Sequence, residues 1–162
     1  MTQTLVTDDS ARAKADALDI VREIIRRAGH EIRNALNGVA VNVEVVRSRV
    51  AQREAGSGKG STAEIASFAE RAGTQIGEAT ALTNGLLSLV GIVLAAEAQK
   101  ALHSATGGSG GSRIELMIYG DRATALVSDI KHLADRIGVG IEQDAKRVIL
   151  TVSPEGKSHS KD

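Results

Sequence analysis

The chain has 162 residues, enough for one ordinary domain or two small ones, and its 20 Lys and Arg residues balance 20 Asp and Glu to a formal net charge of zero. That balance argues against nucleic acid as the main partner, and the near absence of aromatic side chains (Phe68, Tyr119 and no Trp) removes the stacking platforms on which single strands bind. With no cysteine, disulfides and thiolate metal sites are excluded and a reducing compartment is permitted.

The opening stretch "MTQTLVTDDS" is acidic and polar and does not read as a signal peptide. Thr7, Asp8 and Asp9 are candidate N-caps for a first helix. From there to Glu54, Leu18, Val21, Ile25, Ala28, Ile32, Leu36, Val39, Val43, Val46 and Val50 recur mostly three or four residues apart, the stripe of one long amphipathic helix. "AGSGKGS", residues 55–61, interrupts it as a loop. "STAE" then fits a capping box, with Ser61 as cap and Glu64 reaching back. Ile65, Phe68, Ala72, Ile76, Ala79, Leu82, Leu86, Leu89 and Val93 repeat the spacing in a second helix running to about Ala105, where Lys100 and His103 suit the dipole of its C-terminal end. Two such helices cannot cover Ile25, Val39, Leu86 and their neighbours on every side. A second copy would cover them, which predicts a homodimer built as a four-helix bundle.

"TGGSGGS", residues 106–112, reads as a linker that separates this hairpin (8–105) from a smaller unit (113–153). In that unit "RIELMIYG" alternates, with Ile114, Leu116 and Ile118 on one face of a strand. Ala125, Val127, Ile130, Leu133, Ala134 and Ile137 follow at helical spacing, with Asp121 as cap and Gly138 as stop. "VGIEQDAKRVILTVS" reads as two short strands about a polar turn at Gln143 to Lys146. The expected fold is therefore mainly α: a long antiparallel hairpin that dimerises, plus a small C-terminal β-α-β-β unit that leans on it, with a disordered tail at 154–162. The most apolar run, Gly85 to Ala96, is shorter than the roughly 20 residues that cross a bilayer, so neither a membrane nor nucleic acid is expected as a partner and a cytoplasmic location is.

One residue on the first helix invites chemistry. With Leu18, Ile25, Ile32, Val39 and Val46 as a core column, His30 falls opposite the seam, where side chains meet solvent. Asn34 lies one turn on, Glu31 is adjacent, and Arg26, Arg27 and Arg33 bring positive charge that suits a phosphoryl group. A metal site lacks donors, because no histidine stands at i+4 and His103, His132 and His159 lie in distant segments. No serine elbow supports Ser-His-Asp catalysis. "GSGKGS" fails the P-loop frame, with Arg53 where the first glycine belongs and Gly60 after Lys59.

The segment "HEIRNAL", residues 30–36, resembles the H-box of the dimerisation and phosphoacceptor domain of sensor histidine kinases: His, acidic, aliphatic, basic, Asn, commonly Pro, then Leu. His30, Glu31, Ile32, Arg33, Asn34 and Leu36 match, and Ala35 departs from the common proline. The resemblance covers about residues 10–105. Beyond it, no asparagine follows Asn84, and Gly138, Gly140 and Gly156 are too scattered for the glycine boxes of that family's ATPase domain. The resemblance therefore implies a histidine phosphotransfer protein with a degenerate ATPase-like unit, not an autokinase. It would be a cytoplasmic, dimeric phosphoprotein of two-component signalling. His30 would be the phosphoacceptor, Glu31 would select its tautomer or act as base, and Asn34 would position the group. Arg26, Arg27, Arg33 and Asn37 would meet phosphate or partner. The implied partners are response-regulator receiver domains and a hybrid histidine kinase. This chain would bind no cofactor itself, and Mg²⁺ would come on the receiver. The alternative is a non-catalytic dimeric module that binds a kinase or regulator, with a vestigial H-box.

Overall fold

A computed structural model describes residues 4–56, 61–98, 103–106, 112–117, 123–144 and 147–153. Two long helices, α1 (Thr4–Glu54) and α2 (Thr62–Ala98), fold back on one another. At about 1.5 Å per residue α1 is about 75 Å long and α2 about 55 Å. The return is held at its tip by Arg53 Nη1 donating to Thr62 Oγ1 at 2.8 Å. There the capping box forms: the Glu64 N–H donates to Ser61 Oγ at 3.1 Å, and the Ser61 N–H donates to the Glu64 carboxylate at 3.2 Å. Two orphan donors of the first turn are satisfied, which sets where α2 starts.

A four-stranded antiparallel sheet follows, formed by β1 (His103–Thr106), β2 (Ser112–Met117), β3 (Gly140–Asp144) and β4 (Arg147–Val152) in the order β1-β2-β4-β3. Between β2 and β3 lies α3 (Ala123–Arg136). Period-two burial puts Ile114 and Leu116 of β2 inward between half-buried Arg113, Glu115 and Met117. Helix α3 stops as its glycine requires: Gly138 takes φ +66°, and the Val139 N–H closes on the Ala134 carbonyl at 2.9 Å.

One apolar core joins these elements. Ala17, Ile20, Val21, Ile24 and Ala28 of α1 meet Leu82, Leu89, Ile92, Val93 and Ala96 of α2, and both meet α3 and the inner face of the sheet through Ile114, Leu116, Ile130, Leu133, Val148 and Leu150. The core occupies the end of the hairpin away from the loop. Beyond Ala35 no residue of α1 is buried, and none of α2 is before Ala72. By length and a mean hydropathy of 1.8, α2 also has the composition of a bilayer-crossing helix. Its core-side residues are instead covered by α1, α3 and the sheet.

The chain is thus mainly helical with a small antiparallel sheet, and several details differ from the sequence reading. Helix α1 already runs from Thr4, so Thr7, Asp8 and Asp9 lie inside it and do not cap it. Helix α2 ends at Ala98, and His103 to Thr106 form a strand. Lys100, Ile118, Tyr119, Asp121 and the 154–162 tail lie outside the described residues. Thr106 and Ser112 are register partners, so the Gly/Ser run joins two paired strands of one sheet and does not separate two units. Ala125 is exposed. The seam of α1 is shifted: Ala17, Val21, Ile24 and Ala28 are buried, while Ile25 is 40% exposed and Leu18, Ile32, Val39 and Val46 are half-buried. The sheet packs on α1 beside α2, and this second partner turns the helix so that the buried arc takes in positions 17 and 24.

Helix α3 sits close to α2 because Gly85 has no side chain. A Cβ there would lie 2.6 Å from the Asp129 carbonyl oxygen and 2.7 Å from Leu133 Cβ. Ser88 Oγ donates to Asp129 Oδ2 at 3.1 Å one turn further along. Gly85→Ala should therefore lower the unfolding free energy by about 1–3 kcal/mol through overpacking. Gly77→Ala, with nothing within 4 Å of its Cβ, should raise it by up to about 1 kcal/mol through helix propensity. Urea unfolding of the two variants checks the opposite signs.

Candidate functional site

His30 stands on α1 at the border between the packed end of the hairpin and its coreless remainder. Ala28 is fully buried, Ala35 is the last buried residue of the helix, and His30 between them is exposed. No side-chain hydrogen bond to His30 is present among the described residues. Helical spacing puts Arg26, Arg27, His30 and Glu31 on adjoining positions of two turns, and these four line one wall of a shallow cavity of about 260 Å³. The opposite wall is Arg136 and Ile137, at the C-terminal end of α3. Arg33, Asn34 and Asn37 are exposed on α1 but do not line this cavity.

The arginines are held by carboxylates that lie outside the H-box-like segment. Glu23 accepts from Arg26 Nε and Nη2, both at 2.8 Å, and from Arg27 Nε at 2.7 Å. Arg27 Nη2 also donates to the Ser153 carbonyl at 3.1 Å, tying α1 to the residue after β4. Arg136 pairs with Glu78 of α2. The Glu23 signal was available as an i, i+3 and i, i+4 relation on one helix; the Glu78–Arg136 pairing was not, because it spans two elements. The hydrogen bond from Arg26, then that from Arg27, holds the Glu23 carboxyl well below its ordinary 4.5, at about 2.

The arrangement offers an accessible imidazole, an adjacent carboxylate and three guanidinium groups about a concave surface. Such groups recognise a phosphoryl oxygen set through forked, charge-assisted hydrogen bonds. A metal has less to bind: among the described residues no cluster of three or more His, Cys, Asp or Glu could hold one. Gly38, further along α1, faces the Gln75 side chain of α2, which accepts from Asn42 Nδ2 at 2.8 Å. Gly38 therefore serves the hairpin's own packing. No protein-family model, curated protein or solved structure matches this chain.

A carboxyl with a depressed folded-state pKa contributes stability that is fully present above 4.5 and is lost as pH falls through about 2. Acid unfolding between these limits should be less steep in Glu23→Gln than in the wild type. Circular dichroism across that pH range reads the difference, and equal slopes would show that Glu23 contributes nothing.

Proposed function

We propose that this protein is a histidine phosphotransfer protein of a two-component phosphorelay, passing a phosphoryl group between His30 and the aspartate of receiver domains without ATP-dependent autophosphorylation. The observation that carries this is an exposed His30 in an H-box-like segment, at a cavity edged by arginines, midway along a helical hairpin. In the forward step one ring nitrogen of the neutral imidazole attacks the phosphorus of the aspartyl phosphate. The N–P bond forms as the O–P bond breaks, and the electron pair leaves on the receiver's carboxylate. The other ring nitrogen holds its proton during the attack, oriented by Glu31 on the same wall, and the cationic phosphohistidine ring then releases that proton to the Glu31 carboxylate or to water. The receiver supplies Mg²⁺. Most of the catalysis is positioning and charge neutralisation, which asks no cofactor of this chain itself. Arg33, Asn34 and Asn37, exposed beyond the cavity, face an arriving partner.

The same reading takes the protein as a cytoplasmic homodimer. The coreless half of the hairpin exposes Leu36 (51%), Val41 (63%), Val43 (52%) and Ile76 (51%). Leu36, Val43 and Val50 repeat at heptad spacing, as Leu87 and Leu94 do on α2. A helix pair with half-buried seams is completed most simply by a second helix pair. The same face favours a second reading, in which the bundle binds a kinase or regulator and His30 is unused.

A phosphorylated receiver should transfer label to the wild type and not to His30→Gln, while sedimentation shows both as dimers. Transfer to both, or binding of receivers that ignores His30 with no transfer at all, would favour the second reading. Leu36→Glu combined with Val43→Glu should convert dimer to monomer.

A further inference from the structure

Arg136 enters the His30 cavity from another element. Helix α3 ends there because Gly138 takes φ +66° and Val139 closes on Ala134, which leaves Arg136 in the last turn beside buried Ile137. Arg26 and Arg27 are committed to Glu23, and Arg27 also to the Ser153 carbonyl. Arg136 is engaged differently. Its Nη2 pairs with Glu78, which reaches across from α2, and its side chain remains 47% exposed. A guanidinium has five N–H donors in a rigid fork, so one carboxylate contact leaves others for an anion. Arg136 therefore belongs to two places at once: it lines the cavity that the α1 imidazole also lines, and it pairs with the Glu78 carboxylate of α2, which stands outside that lining.

We propose that Arg136 is a phosphoryl-binding residue of the His30 site, and that Glu78 is the latch that holds it when the site is empty. This rests on His30 as phosphoacceptor. When the imidazole carries a phosphoryl group, its oxygens outbid a single carboxylate for the fork, and Arg136 swings from Glu78 to the phosphoryl group. No bond is made or broken in that exchange; one ion pair replaces another. Its consequence is mechanical. The modified α1 becomes tied to α3, so the phosphorylated state holds the α+β unit against the helices more firmly than the free state does. Unmodified, the latch keeps the Arg136 charge neutralised at the cavity wall.

The test uses inorganic phosphate and the full chain, with the His30 Cε1–H resonance as reporter and His132, on α3 away from the cavity lining, as internal reference. In the wild type the His30 shift should saturate with phosphate. Arg136→Gln should weaken that binding by about tenfold or more, the scale of a lost charge-assisted pair. Arg136→Lys, which keeps the charge and loses the fork, should fall between them. Glu78→Gln, which opens the latch, should tighten it severalfold. If Arg136→Gln does not fold, the Lys and Glu78 variants carry the comparison. A wild-type His30 that shows no saturable shift, or variants that all bind phosphate as the wild type does, would overturn the inference. Arg136-dependent phosphate binding without label uptake from receivers fails the transfer reading and keeps the anion site. Normal label uptake with Arg136-indifferent phosphate binding fails the anion site alone.

Discussion

The close approach of α3 to α2 at Gly85 is the contact on which the arrangement turns. It lets Asp129 and Leu133 come within reach of the α2 backbone, and with Ser88 it fastens the α+β unit to one end of the hairpin. Most of what is buried collects there, in one core shared by three helices and the sheet, while Ala35, Ala72, Ala79 and Ile149 are buried outside it. The remaining length of the hairpin is left with half-buried seams, and His30 falls on the boundary between the two regimes. A nucleophile at such a border has rigid packing on one side and an open helical face on the other. In the proposed function that rigidity would fix the imidazole and the open face would admit a partner domain.

The electrostatics follow the same division. Glu23 binds two arginines on one helix and holds its proton off to about pH 2, so the turn before His30 is stiffened by local ion pairs. Arg27 extends that stiffness to the end of β4 through Ser153. Arg136 and Glu78 carry it from α3 to α2. Each guanidinium is paired with a carboxylate, with Arg26 and Arg27 sharing Glu23, so the positive charge of the cavity is only partly offset. An incoming anion would have to compete for donors, which favours a doubly charged, multi-oxygen group over a simple carboxylate.

What could be read from the sequence was what is local. The Ser61–Glu64 capping box and the Gly138 stop are set by neighbours within a few residues, and both form. Position 30 faces outward with either core column, because a one-residue turn of the seam still leaves it away from Ala28 and Ile24. The seam departs from the heptad column because α1 packs on two partners, and a heptad pattern describes only one. The strand at His103 to Thr106 has no apolar alternation. It exists because β2 offers it an antiparallel edge, information that lies in the partner strand. Arg136 could not be attached to the site for the same reason: its place depends on how α3 is docked, which Gly85 decides.

The most direct measurement is the selectivity of the four histidines toward a small phosphodonor that needs no protein partner, such as phosphoramidate, followed by peptide mapping at alkaline pH, where phosphohistidine is stable. The account expects a single acid-labile modification at His30, with His103, His132 and His159 left largely untouched. Modification spread evenly over the four, or concentrated anywhere other than His30, would contradict it.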